Sequence, residues 1–248
     1  MTARTSGAEA PRRRNINGVS LAIHEWPGGG PVIVAIHGLT SNHTAWYPIA
    51  DVLGGSHRLI AYDLRGRGDS EKPAKGYSLA EHAADLLGLL DHFGLDRAVI
   101  MGHSLGAHIG VRFASHHPDR VAKLVLFDGG LDVLAEVFDS IAPAVNRLGV
   151  EFASVEMFLA IVKGLPMFEG RTRLWAWHHR IAAPTLLLRA PDGLLTLDDC
   201  LMTQEEAEAM AHAILDCRLV VVPGVNHYTI LLGDDPLVRR ELSAFLAR

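Results

Sequence analysis

Three kinds of side chain in this sequence could together transfer an acyl group. One is a serine in Gly102–His103–Ser104–Leu105–Gly106; another is a late histidine in Gly224–Val225–Asn226–His227; the third is an aspartate, at 128 or 192. A serine hydroxyl is a poor nucleophile at neutral pH. It needs a base to take its proton during attack, and an imidazole with a pKa near 6.5 suits that task. The imidazole in turn needs an acceptor on its other nitrogen, which fixes the tautomer and stabilises the imidazolium. The tetrahedral intermediate needs preset donors for its oxyanion, each worth roughly 2.7–4 kcal/mol of barrier. Gly-x-Ser-x-Gly alone is a weak signal, so its setting decides.

That setting is strand, turn, helix. Ala98–Met101 is an apolar run of strand type, and a helical stretch, Leu105–His116, follows the serine and stops before Pro118. This is the sequence form of a nucleophile elbow. It forces Ser104 into a strained conformation and needs glycine at 102 and 106, where a Cβ would collide with neighbouring backbone.

Similar alternation covers much of the chain. Asn15–Trp26 alternates around an Asn17–Gly18 turn and reads as an antiparallel hairpin. Val32–Ile36, His57–Tyr62, Val121–Phe127, Pro184–Leu188 and Arg218–Val222 are largely apolar runs, as expected of strands buried on both faces. Helical stretches lie between them: Trp46–Leu53, the segment from the capping box Ser78/Glu81 to Phe93, Thr203–His212 and Asp235–Leu246. The expectation is an α/β fold with a mostly parallel central sheet flanked by helices. In such sheets ligands sit at the carboxyl ends of the strands. There the sequence places His37–Gly38–Leu39, Asp63–Arg65, Ser104, Asp128, Asp192 and His227.

Composition narrows the classes. With 248 residues, 49% of them hydrophobic, the chain can bury one sizeable core. A net charge of −5 gives no global basic field for nucleic acid. No apolar run approaches the ~20 residues of a membrane span. Met1–Arg14 lacks the apolar segment of a secretory signal and reads as a disordered tail, Arg12–Arg14 included. Cys200 and Cys217 make no disulfide framework, and reduced thiols point to the cytoplasm. The pairs His116–His117 and His178–His179 lack metal-ligand spacing, so no metal and no organic cofactor is expected.

Taken together, His37–Gly38, the stretch Asp63–Ser70 with Arg65, Gly66 and Gly68, the elbow and Gly224–His227 resemble the α/β-hydrolase family over about residues 15–248. The family's chain order is nucleophile, acid, histidine. By position the resemblance implies Ser104 as nucleophile, His227 as general base, and the backbone N–H groups of Leu39 and Leu105 as oxyanion hole. For the acid it favours Asp192, after the strand ending at Leu188, over Asp128, after the preceding strand; Asp198 and Asp199 lie too far along the loop. His37 would order the oxyanion loop. Asp63 and Arg65 would hold loops together through an ion pair and hydrogen bonds.

Residues 131–181 break the alternation and read as a short helical lid between core segments 15–130 and 182–248. Its Met157, Phe158 and Trp177, with His103 of the elbow, are the expected pocket residues, although most apolar side chains there can equally form a small helical core. A serine nucleophile excludes the aspartate chemistry of epoxide hydrolases and dehalogenases. The apolar lid favours a hydrophobic carboxylic ester or lactone as the small-molecule partner. Arg171, Arg173, Arg180 and Arg189 keep open carbon–carbon hydrolysis of diketo acids, and a slow-turnover receptor on the same fold is a further alternative. A homodimer is also left open.

Overall fold

The computed structural model describes residues 11–131, 174–193 and 200–248. Among the described residues eight strands form one sheet: β1 (Arg12–Ile16), β2 (Val19–Trp26), β3 (Ile33–Ile36), β4 (Leu59–Tyr62), β5 (Ala98–His103), β6 (Val121–Phe127), β7 (Thr185–Arg189) and β8 (Cys217–Val221). Their order is β1-β2-β4-β3-β5-β6-β7-β8, with β1 and β2 antiparallel and the rest parallel. The hairpin turns at Asn17 and Gly18, both with positive φ (53° and 80°), as a two-residue turn matching strand twist requires.

One expectation fails at this edge. Arg12–Arg14 is no tail: the three arginines pair with Ile23, Ala22 and Leu21 as strand β1. Their exposed side chains sit on an edge strand, where charge discourages pairing with another chain.

Strands β3 to β6 are mostly apolar on both faces because helices cover both. On one face α2 (Leu79–His92) and α3 (Leu105–His116) pack over Ile36, Ile60, Ile100 and Leu126. On the other, α1 (Tyr47–Leu53) packs with the C-terminal helix (Pro236–Leu246) over Ala35, Ala61, Met101 and Phe127. The capping box at Ser78 and Glu81 is present, and Thr203 with Glu206 makes a second one at helix Gln204–Ala213.

The register decides what can meet at the sheet's edge. Ile36 pairs with Tyr62 and with Gly102, His103 with Phe127, and Phe127 with Leu188. The carboxyl ends of β3, β4, β5 and β6 are therefore level. His37, Asp63, Ser104 and Asp128 leave the sheet side by side.

Of the expected lid, Leu131 and 174–181 are described; Met157 and Phe158 lie outside the described residues. Helix Trp175–His178 packs against α3 and helix Gln204–Ala213, and none of its residues lines the cavity described below. Trp177 packs on α3, with its ring 4.9 Å from the Arg112 guanidinium and 5.2 Å from the His116 ring. His178 is buried and bonds the Gly130 carbonyl at 2.9 Å. Trp177 is thus a packing residue, drawn onto α3 by a cation beneath its ring face.

Candidate active site

The elbow has the strain its sequence demands. Ser104 lies at φ 54°, ψ −119°, between the end of β5 and the start of α3. For a non-glycine residue this costs of order 1–3 kcal/mol, and surrounding contacts must hold it. Those contacts are dense. The Ser104 N–H donates to Phe127 O at 3.1 Å, and the Ser104 carbonyl accepts from Ala107 N, His108 N and His108 Nδ1. A Cβ on Gly106 would run into the Ile36 carbonyl, and one on Gly102 into the main chain of Gly106. Any other residue at either position would prise α3 away from the sheet. The first N–H groups of α3, Leu105 among them, have no helical acceptor and lie at its positive end.

The Gly38–Leu39 loop, the expected oxyanion loop, is held from behind. His37 is fully buried, and its Nε2 accepts the Leu64 N–H at 3.0 Å. Nδ1 therefore carries the proton and donates to Gly38 O at 2.7 Å. Pinning that carbonyl orients the whole Gly38–Leu39 peptide, whose other end is the Leu39 N–H. Burial pushes the His37 pKa down to about 4, so the ring stays neutral and the tautomer holds. Arg67 Nε holds the next carbonyl, Leu39 O, at 2.7 Å. Gly38 lets this loop approach: a Cβ there would sit 3.2 Å from Ser104 Cβ and 3.1 Å from His103 Nδ1.

His227 follows Gly224, whose φ of 74° turns the chain after β8. An Asn226 side chain caps the next turn, accepting from Tyr228 N and Thr229 N. His227 Nδ1 meets Asp128 Oδ2 at 2.8 Å, with both residues buried. Because Nδ1 donates to a carboxylate, Nε2 is left bare as a base. Asp128 has its own strained backbone, φ 44°, at the end of β6. Its second oxygen accepts the Ala190 N–H at 3.0 Å. The carboxylate is thereby fixed by a neighbouring strand's connection before any imidazole arrives.

This corrects the expected acid. Asp192 does follow β7, but it meets the histidine loop through its backbone, forming a bridge with Asn226 and donating its N–H to Val225 O at 3.3 Å. The loop then carries on toward the elbow, where His103 Nε2 lies 2.8 Å from His227 O. That reach puts the imidazole over the end of β6 rather than β7. Asp192 supports the loop, and Asp128 holds the ring.

Ser104, His227 and His103 line one cavity of about 130 Å³ with Gly38, Leu39, Thr40, Ser41, Ala45, Leu201, Tyr228, Leu231 and Leu232. Leu231 and Leu232 lie on a short helix (Thr229–Leu232) directly after the histidine. From sequence the lid is the expected source of the pocket's apolar wall; this helix supplies part of it. An apolar pair four and five residues past the histidine was the signal for it. None of the described lining residues is an arginine or lysine. Arg189, a candidate anion holder, donates instead to Met202 O and Gln204. Nor do Asp63 and Arg65 pair with each other: Arg65 grips Asp85 through two bonds of 2.6 and 2.7 Å, while Asp63 holds His43.

The chain is similar to known proteins in sequence and in fold. A sequence profile of the alpha/beta hydrolase fold matches residues 31–175. A 2-(acetamidomethylene)succinate hydrolase of Mesorhizobium japonicum is 31% identical over 221 residues, covering 88% of this chain and 74% of that protein. Among solved structures, an E-2-(acetamidomethylene)succinate hydrolase superposes with a TM-score of 0.80 at 24% identity, covering 97% of this chain and 100% of that one. The enol-lactonase of Burkholderia xenovorans LB400 superposes with a TM-score of 0.76 at 22% identity, covering 96% and 100%. These two show a shared fold.

Proposed function

The chain belongs to the α/β-hydrolase-fold family, and on that premise we propose a serine hydrolase that cleaves an uncharged, hydrophobic carboxylic ester or lactone. The observation that carries the reading is the buried pair His227 Nδ1–Asp128 Oδ2 at 2.8 Å, beside a cavity that also holds the strained Ser104. An apolar wall of Leu39, Leu201, Leu231 and Leu232 supports the substrate class.

In the proposed cycle Ser104 Oγ attacks the carbonyl carbon and its proton passes to His227 Nε2. The carbonyl π electrons move to oxygen, and the resulting oxyanion is met by the N–H groups of Leu39 and Leu105. Asp128 stabilises the imidazolium without taking its proton. Collapse breaks the bond to the alcohol oxygen, which leaves with the proton from Nε2. Water then attacks the acyl-Ser104 ester, His227 again takes and returns a proton, and the carboxylic acid departs. Each step uses groups already in place, so no metal or organic cofactor is required.

A hydrolysis panel with Ser104→Ala as blank tests this. It pairs short and long acyl esters and lactones with a dianionic diketo acid. The reading expects turnover of the neutral esters or lactones, loss of at least about 10³-fold in the alanine variant, and labelling of Ser104 by a fluorophosphonate. Preference for the dianion would replace the substrate class. Unchanged esterase activity in Ser104→Ala would remove the mechanism.

A further inference from the structure

His103 is the variable residue of the elbow, one position before the nucleophile, and its surroundings are unusual. The ring is buried, at 5% exposure. Nε2 lies 2.8 Å from the main-chain oxygen of His227, a contact spanning 124 residues. A carbonyl can only accept, so Nε2 carries the proton and Nδ1 is bare. That Nδ1 is buried with no hydrogen-bond partner. The ring also lies against the His227 imidazole, with centroids 4.6 Å apart and planes tilted by 32°.

We infer that His103 is a positioning residue for the base: its Nε2–H holds the His227 carbonyl to the nucleophile's own strand, so that a single bond sets serine and imidazole in register. Three observations support this role. An unpartnered buried acceptor is costly, so the ring is not retained for its own stability. The bond also ends on the residue that supplies the imidazole, where Asp128 fixes the ring and His103 fixes the backbone; together they leave the side chain little freedom. Finally, among the described residues the titratable groups facing His103 are His227 and His37. Burial, with His227 next in weight, lowers its pKa to about 3, so it brings no second cation against the imidazolium formed in the cycle.

The inference rests on the acyl-serine reading and can fail separately from it. The test compares His103→Gln, His103→Asn and His103→Phe in the full chain, with p-nitrophenyl butyrate as substrate. A glutamine amide can place its nitrogen near the position of Nε2; an asparagine amide reaches only the position of Nδ1. Loss of register by about an ångström should lower kcat about 10²-fold in the Phe and Asn variants, with KM changed little. Gln should restore the rate to within about fivefold of wild type and keep the wild-type acid limb of the pH–rate profile. If Phe does not fold, the Gln and Asn pair still decides. A folded Phe variant at the wild-type rate, or a Gln variant as slow as Asn, overturns the inference.

A second readout needs no turnover. NMR titration of the His227 ring should show its midpoint displaced in Asn and Phe and unchanged in Gln. An unmoved midpoint in all three overturns the inference. A displaced midpoint in a wild-type background that hydrolyses no ester upholds the positioning role and removes only the proposed reaction.

Discussion

Two aspartate–histidine pairs stand at the same edge of one sheet. Asp128 follows β6 and meets His227 Nδ1 at 2.8 Å; Asp63 follows β4 and meets His43 Nδ1 at 2.9 Å. Both carboxylates are buried, and both imidazoles are nearly so. By pair geometry alone they are the same device. Their surroundings differ. Asp63 is saturated: one oxygen takes His43 N and Nδ1, and the other takes Asp69 N at 2.7 Å. Burial alone would raise its pKa, yet those bonds hold it below the usual carboxylate value. His43 stacks on His24 at 5.0 Å and is not among the residues lining the cavity that holds Ser104. Asp128 instead sits on a strained backbone, and its imidazole lines the cavity that holds Ser104. A carboxylate–histidine pair is therefore a neutral part. Strain, an open nitrogen and a nucleophile make it chemical.

Exchanging each carboxylate for an amide would break or sharpen that contrast most. Asp128→Asn should lower kcat about 10⁴-fold by losing the tautomer and the charge, while the chain stays folded. Asp63→Asn should do the reverse. It weakens charge-assisted bonds worth roughly 1.5–3 kcal/mol each, so the melting temperature falls while the surviving fold keeps its kcat within a few-fold. Asp192→Asn should leave both nearly unchanged. Equal loss of rate in Asp63→Asn and Asp128→Asn would end the distinction, and a collapse of rate in Asp192→Asn would return the acid to β7.

A smaller effect is expected where the two regions touch. Arg67 belongs to the loop that Asp63 braces, yet its Nε bonds Leu39 O in the proposed oxyanion loop. Its neighbour Arg65 spends its charge on Asp85. Arg67→Met should therefore lower kcat roughly tenfold with KM little changed, a fraction of the 10²–10³ seen when an oxyanion donor itself is lost. Arg67→Lys keeps the charge but not the planar fork and should recover only part. A pure rise in KM would mean that Arg67 contacts substrate rather than the loop.

Much of this was legible in the sequence because local rules and global fold agree. An apolar run and Pro118 mark strand β6 and helix α3 with the bounds they have. Ser104, His227 and the loop after His37 stand where their motifs place them. The carboxylate that meets His227 differs from the expected one for a physical reason: Asp128 and Asp192 each follow a strand, and only the path of the histidine loop chooses between them. That path includes a bond between His103 and the His227 carbonyl, 124 residues apart, that no local pattern encodes. Arg12–Arg14 failed similarly. Three arginines read as tail, but pairing with β2 depends on a partner's free edge, not on propensity.

The smallest expected effect concerns acid and the buried histidines behind the Asp63 loop. His82 of α2 is buried with both ring nitrogens unpartnered, and it feels the charges of Arg65 and Arg67. Burial first, then those guanidiniums and His37, lower its pKa to about 3, against 6.5 for a free ring. The unfolded chain thus binds one more proton than the folded chain between those values. The stability His82 supports is complete above pH 6.5 and is lost as pH falls, by about 1.4 kcal/mol per unit and about 2 kcal/mol by pH 5. His82→Leu removes that proton uptake and the two orphaned nitrogens together. Its melting temperature relative to wild type should be higher at pH 5 than at pH 8, by roughly 4–8 °C for a domain of this size. The same gain at both pH values would mean that His82 titrates in the folded chain as it does in water. By contrast His227, with its carboxylate beside it, takes up a proton in each turn of the proposed cycle. On that proposal the Asp63 side of the edge is built to refuse protons, and the Asp128 side to trade them.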